Sequence, residues 1–335
     1  MSACARATPT APPTPLPTES PTKISLPASG ATATRAAPTL TFAPNATATR
    51  TVTSRPTATF TPAATPTPYP LPTGRSECSE KKFKSASLDK EMPYALYLPR
   101  GYFDQTRRRY PVLYLLSGLG GRHTEWKEYL LCQVMDRLIL EGKVQPVIVV
   151  MPSGNDNPAG GIGSFWFNHA PPPTSDGKKW GDYIWKDLVA HADATYRTLA
   201  RRESRAVGGL SAGGQGALTD ALTHPEIFSV VGAHSSSFRR ADGSVAYFGD
   251  EKYYNQYDPI WLVQNTPNAR QLKIWLDVGD RDDQWGNSVR EFHALLDALK
   301  IPHTWNLFFG FHDSPYWQTH VPDYLLWYAA QVAGE

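Results

Sequence analysis

The sequence predicts an α/β domain built on a mostly parallel, doubly wound sheet. Short runs rich in Val, Ile, Leu and Tyr alternate with helical stretches along residues 76–335, and strands that alternate with helices are typical of this fold class. Several runs contain four to six apolar residues without polar alternation, which indicates strands buried on both faces, as in a parallel sheet. Gly and Pro separate the runs, which favours short connecting turns.

A Thr-, Pro- and Ala-rich tail precedes this domain. Residues 1–75 contain 15 Pro, 19 Thr and 15 Ala, so three residue types occupy 49 of 75 positions. Such a segment cannot offset its ordering entropy by burial, and we expect it to be disordered. The tail carries six Lys or Arg and one Glu, a net charge of +5, which leaves the domain at −3 because the whole chain is +2. A domain of this charge is not expected to bind nucleic acid.

The elements follow from the apolar pattern in chain order. The helix predicted over Glu128–Leu140 places Leu131, Val134, Met135 and Leu138 on one face. The predicted strands are Pro93–Pro99, Pro111–Leu116, Pro146–Met151, Arg205–Leu210, Ser229–His234, Leu272–Val278 and His303–Phe309. The predicted helices are Glu128–Leu140, Asp182–Tyr196, Ala212–Thr223, Val289–Leu299 and Val321–Val332. No apolar stretch approaches the roughly 18 residues of a membrane span.

The strongest chemical signal is the segment Gly208-Gly209-Leu210-Ser211-Ala212-Gly213-Gly214. It follows one predicted strand and begins the predicted helix at Ala212. Gly-x-Ser-x-Gly in a strand–turn–helix context is typical of a nucleophile elbow, in which small residues flank a serine held in a strained turn. We therefore predict that Ser211 is a nucleophile whose hydroxyl projects above the sheet.

A serine nucleophile requires a base and an orienting acid, which follow it in the chain in this arrangement. His312 lies between the last predicted strand and the last predicted helix, and we predict that it is the base. His123 is the second candidate, and His320 is predicted to have a structural role in a helix. The acid follows the strand Leu272–Val278, where the sequence leaves three candidates open: Asp280, Asp282 and Asp283.

A second glycine-rich segment, Ser117-Gly118-Leu119-Gly120-Gly121, follows the strand Pro111–Leu116. Its position matches the loop that supplies one oxyanion donor, so we predict the N–H groups of Leu119 and Ala212 as the pair. A dinucleotide site is excluded because His123 stands where the third glycine of the motif should be. The sequence has no Walker A segment and no His-Glu-x-x-His, so neither a metal nor a cofactor is expected.

Three tryptophans flank the predicted catalytic loops. The segment Ser153–Trp180 is long and rich in Gly and Pro, and a loop of that length in a compact domain is usually functional. It contains Trp166, and Trp285 and Trp317 follow the predicted acid and base. We predict these three side chains as a substrate-binding wall, with ordinary core or rim packing as the alternative.

The cysteines bear on the compartment. Cys78 and Cys132 are too few for a zinc site; they are expected to form one disulfide if the protein is exported, or to remain two unpaired thiols. Ser2-Ala3-Cys4 resembles the end of a bacterial lipobox, although no charged or apolar signal region precedes it. We expect a start upstream of Met1, a lipid anchor at Cys4, and an extracellular or cell-surface location.

Several stretches together resemble the esterase family of α/β hydrolases, which includes S-formylglutathione hydrolase (esterase D), feruloyl esterase domains and the mycolyltransferases. The resemblance covers roughly Phe83 to Ala330. The matching stretches are Tyr97-Leu98-Pro99-Arg100-Gly101-Tyr102, Tyr110-Pro111-Val112-Leu113-Tyr114-Leu115-Leu116, Gly209-Leu210-Ser211-Ala212-Gly213-Gly214, Pro225-Glu226-Ile227-Phe228 and Gly310-Phe311-His312-Asp313 with Tyr316-Trp317.

The resemblance implies the α/β-hydrolase fold, Ser211 as nucleophile and His312 as base, and its Gly-x-x-Asp pattern selects Asp282 over Asp280. Two positions depart from the family pattern. Ser117 replaces a histidine that is common in the oxyanion loop, and Phe311 stands where glycine usually precedes the catalytic histidine.

The expected function is therefore that of a serine carboxylic-ester hydrolase, acting through an acyl-enzyme on acyl or feruloyl esters of carbohydrates. Two alternatives stay open: an acyltransferase of the mycolyltransferase type using the same triad, and a non-catalytic binding module. The expected partner is a small-molecule or carbohydrate-linked ester, with membrane contact only through Cys4.

Overall fold

The computed structural model describes residues 71–157 and 163–334. Residues 1–70, which carry most of the predicted tail and Cys4, lie outside the described residues, as do residues 158–162 of the long predicted loop. In the two described ranges, no helix is both long enough and apolar enough to cross a membrane.

The described residues contain one sheet of eight strands. Its strands are β1 (Glu77–Ser85), β2 (Lys90–Leu98), β3 (Val112–Leu116), β4 (Ile148–Pro152), β5 (Arg205–Leu210), β6 (Val230–His234), β7 (Lys273–Gly279) and β8 (Thr304–Phe308). Their spatial order is β1-β2-β4-β3-β5-β6-β7-β8. β1 pairs antiparallel with β2, and β2 pairs antiparallel with β4; every other neighbouring pair is parallel. The predicted mostly parallel sheet is confirmed.

Strand β1 is the one strand that the apolar pattern did not predict. Its sequence, Glu-Cys-Ser-Glu-Lys-Lys-Phe-Lys-Ser, is largely charged, and only Phe83 and Ser85 are buried. A strand at the edge of a sheet has one solvated side, and charged residues there prevent further strand pairing. A search for apolar runs therefore misses such a strand.

The helices are α1 (Glu125–Glu128), α2 (Leu131–Leu140), α3 (Trp180–Asp182), which continues through a π-helical stretch (Tyr183–Leu188) into α4 (Val189–Thr195), α5 (Ala212–Thr223), α6 (Glu251–Tyr254), α7 (Pro259–Asn265), α8 (Gly286–Ala298) and α9 (Ser314–Gln331). The predicted helix Glu128–Leu140 is divided because Leu130 adopts a left-handed conformation with φ of 62°. Helix α9 begins seven residues before the predicted Val321, where Asp313 caps it by accepting the Tyr316 N–H over 3.1 Å.

Both faces of the sheet are covered, as in a doubly wound fold. Strand β3 shows why: Val112, Tyr114 and Leu116 join one hydrophobic cluster with α5 and α8. Leu113 and Leu115 point to the opposite cluster, which includes α2 and α9. Alternate side chains of each central strand thus enter two separate cores.

The edge of the sheet is held by a disulfide between Cys78 of β1 and Cys132 of α2, whose Cα atoms are 6.3 Å apart. Of the two alternatives that the sequence left open, a disulfide or two unpaired thiols, the structure has the disulfide. Residues 74 and 75, just before the predicted boundary at residue 76, also contact the domain. Arg100 donates to the Gly74 carbonyl, and the Arg75 guanidinium lies 4.9 Å from the centre of the Phe103 ring.

Candidate active site

Ser211 lies on a sharp turn between β5 and α5. Its backbone has φ of 53° and ψ of −119°, a conformation that L-residues rarely adopt and that marks stored strain. The turn requires glycine at two positions. A Cβ on Gly209 would lie 2.4 Å from the backbone of Gly213, and a Cβ on Gly213 would lie 2.5 Å from the carbonyl oxygens at the end of β3. The Gly-x-Ser-x-Gly spacing is thus imposed by backbone contact.

His312 and Asp282 reach Ser211 from the two loops that follow β8 and β7. His312 Nε2 lies 2.9 Å from Ser211 Oγ, and His312 Nδ1 lies 2.8 Å from Asp282 Oδ2. The two loops touch each other, since a Cβ on Gly279 would lie 2.3 Å from the Gly310 carbonyl oxygen. The fold therefore brings the three predicted residues into one hydrogen-bonded series.

The Asp282 carboxylate is buried and well supplied with donors. Its Oδ1 accepts the N–H groups of Gln284 and Trp285 over 3.0 and 2.8 Å, and its Oδ2 accepts the Ser235 hydroxyl over 2.6 Å. Burial acts to raise the pKa of this carboxyl, but the hydrogen bonds from His312, Ser235 and Trp285 together hold the pKa below its usual value. Asp282 is thus stabilised as an anion. The sequence did not indicate Ser235.

The structure also distinguishes the three aspartates that the residues alone left open. Asp280 is exposed and its Oδ1 accepts the Gly310 N–H over 3.1 Å, so that it braces the histidine loop. Asp283 is exposed. Of these three aspartates, only Asp282 contacts His312.

The predicted oxyanion loop is fixed by two buried indoles. Trp126 donates to the Leu116 carbonyl over 3.1 Å, and Trp166 donates to the Ser117 carbonyl over 3.0 Å. The Gly118 N–H donates to Glu125 Oε2 over 2.9 Å. These three hydrogen bonds fix the orientations of the two successive peptide groups between Leu116 and Gly118.

The Leu119 N–H is directed away from Gly121, for the following reason. The Gly118 carbonyl accepts the Gly121 N–H over 2.9 Å, and the N–H of the same trans peptide points in the opposite direction. Ala212 is the first residue of α5, and the first N–H groups of a helix have no intrahelical acceptor. A Cβ on Gly118 would lie 3.7 Å from Ser211 Cβ, so the loop adjoins the serine.

Glu125 is the acid that anchors this loop. Burial raises the pKa of its carboxyl, and the hydrogen bonds from Gly118 and Tyr129 offset only part of that effect. The Tyr129 hydroxyl donates to Glu125 over 3.2 Å, and its oxygen lies 3.1 Å from the hydroxyl oxygen of Ser314 at the start of α9. The loop is therefore tied to the helix that follows His312.

The three predicted tryptophans differ in their surroundings: Trp166 has the core packing that was the alternative interpretation, whereas contact of Trp317 with substrate stays a prediction. Trp166 is fully buried; it packs against Gly154 and Gly216, where a Cβ would lie within 2.5 Å of its side chain. Trp317 is 6% exposed, and its ring meets His312 edge-on with centroids 4.9 Å apart. The Trp166 indole donates to the predicted oxyanion loop, and the Trp317 ring packs against His312. Trp285 is half-buried, and its contact with substrate stays a prediction.

The other histidines take no part in this series. His123 lies 3.2 Å from Glu80 at the surface. His320 stacks on Phe308 with centroids 4.0 Å apart and pairs with Asp323 over 2.9 Å, in agreement with its predicted structural role. Phe311, next to His312, is 48% exposed, and the Arg281 guanidinium lies 5.9 Å from the centre of its ring.

A fully buried His–Asp pair lies behind the nucleophile and was missed by sequence reasoning. His234 Nδ1 is 2.6 Å from Asp277 Oδ1, and the His234 carbonyl accepts the Ser211 N–H over 3.0 Å. Asp277 also accepts Tyr316, Tyr324 and Trp275. Burial raises the pKa of the Tyr316 and Tyr324 hydroxyls well above the usual value, so they remain donors.

A serine on an elbow after β5, an acid after β7 and a histidine after β8, on a mostly parallel sheet, define an α/β hydrolase. The family model described as "Putative esterase" matches residues 85–328. The chain belongs to that esterase family.

Two curated relatives match parts of the chain. An endo-1,4-beta-xylanase/feruloyl esterase of Xylanibacter ruminicola is 35% identical over 156 residues, which are 45% of this chain and 20% of that protein. An esterase of Mycobacterium tuberculosis is 28% identical over 254 residues, covering 66% of this chain and 52% of that protein. The chain thus spans only a fifth to a half of these relatives.

Solved structures share the fold. A ferulic acid esterase superposes with a TM-score of 0.68 at 24% identity, covering 76% of this chain and 99% of that one. An S-formylglutathione hydrolase from Agrobacterium tumefaciens gives a TM-score of 0.64 at 22% identity, covering 77% and 96%. A ferulic acid esterase from Anaeromyces mucronatus, in complex with ferulic acid, gives 0.56 at 18% identity, covering 75% and 90%. The predicted α/β-hydrolase fold is confirmed.

Proposed function

We propose that this protein is a serine carboxylic-ester hydrolase with Ser211 as nucleophile, His312 as base and Asp282 as orienting acid. One observation carries the proposal: His312 Nε2 lies 2.9 Å from Ser211 Oγ while its Nδ1 lies 2.8 Å from Asp282. A hydrogen bond between nucleophile and base, with the base oriented by a third group, is the geometry that serine catalysis requires.

The reaction proceeds in two steps, acylation of Ser211 and hydrolysis of the acyl-enzyme. Ser211 Oγ attacks the ester carbonyl as His312 Nε2 takes its proton, and the tetrahedral oxyanion is stabilised by the N–H groups of Leu119 and Ala212. His312 returns the proton to the leaving alcohol, which leaves an acyl-enzyme. Water then attacks the acyl carbon with His312 again as base, and the acid product leaves. Asp282, as an anion, stabilises the imidazolium in each step.

The proposal is tested by hydrolysis of p-nitrophenyl acetate by the full chain and by its Ser211→Ala variant. We expect the variant to lose at least about 10⁴-fold in kcat, as removal of a triad member does. Ser244→Ala is the matched control, because Ser244 is exposed and bonded only to Arg239 and Asp242. Equal turnover by the wild type and Ser211→Ala overturns the assignment.

For the substrate, we propose acyl or feruloyl esters of carbohydrates. The support is similarity to feruloyl esterases: an endo-1,4-beta-xylanase/feruloyl esterase is 35% identical over its matched segment, and a ferulic acid esterase shares the fold. Methyl ferulate and a feruloylated xylo-oligosaccharide are the probes. A higher kcat/KM for the feruloyl esters than for p-nitrophenyl acetate supports this class. Acyl transfer to an added sugar, in place of hydrolysis, favours the transferase alternative instead.

We also propose that the protein acts outside the cytoplasm, anchored through Cys4. The disulfide between Cys78 and Cys132 supports this proposal, because such bonds persist in oxidising compartments. Mass spectrometry of the N-terminal peptide from the native host tests it. A diacylglyceryl modification of Cys4 is expected, and an unmodified Cys4 in protein extracted from the cytoplasm contradicts the proposal.

A further inference from the structure

A cluster of two histidines and one aspartate lies at the end of β8 remote from the catalytic residues. His293 and Asp297 are one turn apart on α8, and His303 immediately precedes β8. One potential ligand atom from each residue lies within 4.8 Å of the other two. His312 follows the opposite end of β8, so the length of this strand separates the cluster from Ser211.

Each histidine ring is held in place by its surroundings. His303 Nδ1 lies 2.9 Å from the Ile301 carbonyl oxygen; because a carbonyl can only accept, Nδ1 carries the proton and Nε2 presents its lone pair to the cluster. The His293 ring stacks on Trp305 with centroids 4.3 Å apart and planes 6° from parallel. A carbonyl that fixes the tautomer of a histidine is the usual second partner of a metal-binding imidazole.

The two ring nitrogens of His293 face the other two members of the cluster. His293 Nδ1 lies 2.7 Å from His303 Nε2, and His293 Nε2 lies 3.6 Å from Asp297 Oδ2. A neutral His293 has one N–H. If Nδ1 carries it, a lone pair on Nε2 faces the Asp297 carboxylate; if Nε2 carries it, two lone pairs meet between the imidazoles. Either arrangement places electron-rich atoms opposite one another.

We propose that His293, Asp297 and His303 form a binding site for a divalent transition-metal ion of the zinc type. Two imidazoles and one carboxylate are the ligand set that Zn²⁺ accepts in proteins. His303 has a 3% exposed side chain, whereas that of Asp297 is 66% exposed, so the site has one buried wall and one open side for entry. Zn–N bonds of about 2.0 Å place two ligand nitrogens about 3.3 Å apart, so the two rings separate by about half an ångström on binding.

The proposed ion would connect α8 and β8, the two elements adjacent in the chain to Asp282 and His312. Helix α8 begins four residues after Asp282, and β8 ends four residues before His312. A metal bound by these three residues cross-links α8 to the start of β8, at the end of the strand remote from the catalytic residues. Because the ion binds the folded chain and its ligands are dispersed on unfolding, binding stabilises the fold by an amount that rises with the logarithm of the ion concentration above Kd. The role is structural and requires no change in the ester chemistry.

The test is isothermal titration of the full chain with ZnCl₂ after removal of bound metal by a chelator, together with Tm measured with and without the ion. Asp297→Asn is the first variant, since its largely exposed side chain can change without disturbing the core. His303→Gln is the second. His224→Asn is the matched control, because His224 pairs with Glu226 at the surface and is remote in sequence from the cluster. Each variant's Tm without metal shows that it is folded.

The expected result is one Zn²⁺ per chain in the wild type and a higher Tm with the ion. Both cluster variants are expected to bind at this site at least about 100-fold more weakly, since loss of a ligand should exceed the 10–100-fold cost of losing an outer partner, while the His224 variant behaves as wild type. Equal zinc affinity in all four proteins overturns the proposal. A wild type without a zinc-dependent Tm also overturns it.

Discussion

The indole N–H of Trp166 donates to the main-chain carbonyl oxygen of Ser117 across 3.0 Å. This bond links the long glycine- and proline-rich loop to the segment that carries one predicted oxyanion donor. The same peptide unit is held on its other side by Glu125. Donors to an oxyanion are effective only when they are preorganised, so the role of Trp166 in the proposed reaction is to fix the predicted donor.

Trp166→Phe is expected to lower kcat for ester hydrolysis about fivefold with little change in KM. The variant keeps an aromatic ring in the core but removes one hydrogen bond, worth about 1 kcal/mol, from the group that binds the transition state. Trp261→Phe is the control, since Trp261 is 37% exposed on α7. A change in KM alone would indicate a substrate-binding role for Trp166 instead.

Two isosteric substitutions separate the neighbouring aspartates. Asp282→Asn is expected to lower kcat/KM by about 10⁴-fold, because an amide cannot hold His312 in the required tautomer. Asp280→Asn is expected to stay within about tenfold of the wild type, since its Oδ1 contacts only the Gly310 N–H in the histidine loop. Steady-state kinetics with p-nitrophenyl acetate measure both. Comparable losses would mean that the acid is shared between them.

The depressed pKa of Asp282 has a consequence for stability against pH. The folded state lowers the pKa of this carboxyl below its unfolded value of about 3.9, so the stabilisation is complete above about pH 4 and is lost as pH falls through the folded pKa. Urea unfolding of the wild type and Asp282→Asn between pH 7 and pH 3 measures it. The difference in unfolding free energy is expected to shrink on acidification, and a difference that grows there contradicts the assignment.

Asp220 is expected to behave in the opposite way. It lies on α5 with 1% exposure, and its Oδ2 has no hydrogen-bond partner in the described part of the chain. Burial raises the pKa of this carboxyl well above its usual value, and Asp182 adds to the rise. The folded state therefore binds the proton more tightly, which costs stability as pH rises above about 3.9.

Asp220→Asn removes that cost, so its Tm at pH 7 is expected to exceed that of the wild type, with the gain fading near pH 4. Asp193→Asn is a useful contrast, because Asp193 pairs with the buried Arg205 and its loss leaves a charge unpaired. A lower Tm for Asp220→Asn at pH 7 would show that the buried carboxylate has a partner in solution.

The disulfide is expected to contribute about 4 kcal/mol to the free energy of unfolding. Cys78 and Cys132 are 54 residues apart, and closing a loop of that length restricts the unfolded chain by this amount in the chain-entropy model. Denaturant unfolding of Cys78→Ala/Cys132→Ala measures it, and treatment of the wild type with reductant should give the same loss. A reductant effect that persists in the double variant would point to another cause.

The central strands and the nucleophile could be read from the sequence because both are local. Apolar runs such as Arg205–Leu210 are buried on both faces, and the glycines around Ser211 are required by its turn. β1 could not be read, since an edge strand needs few apolar residues. The split at Leu130 depends on a left-handed residue that no apolar periodicity records.

The sequence by itself determined the fold class, Ser211 and His312, since each depends on residues adjacent in the chain. Only the tertiary structure showed the contact of Asp282 with His312, the complete burial of Trp166, and the approach of His293 to His303. Those outcomes depend on which side chains meet across loops and sheet edges. These contacts depend on the packing of the whole chain. A large aromatic side chain or a carboxylate can lie in a core or in an active site, and its tertiary neighbours decide which.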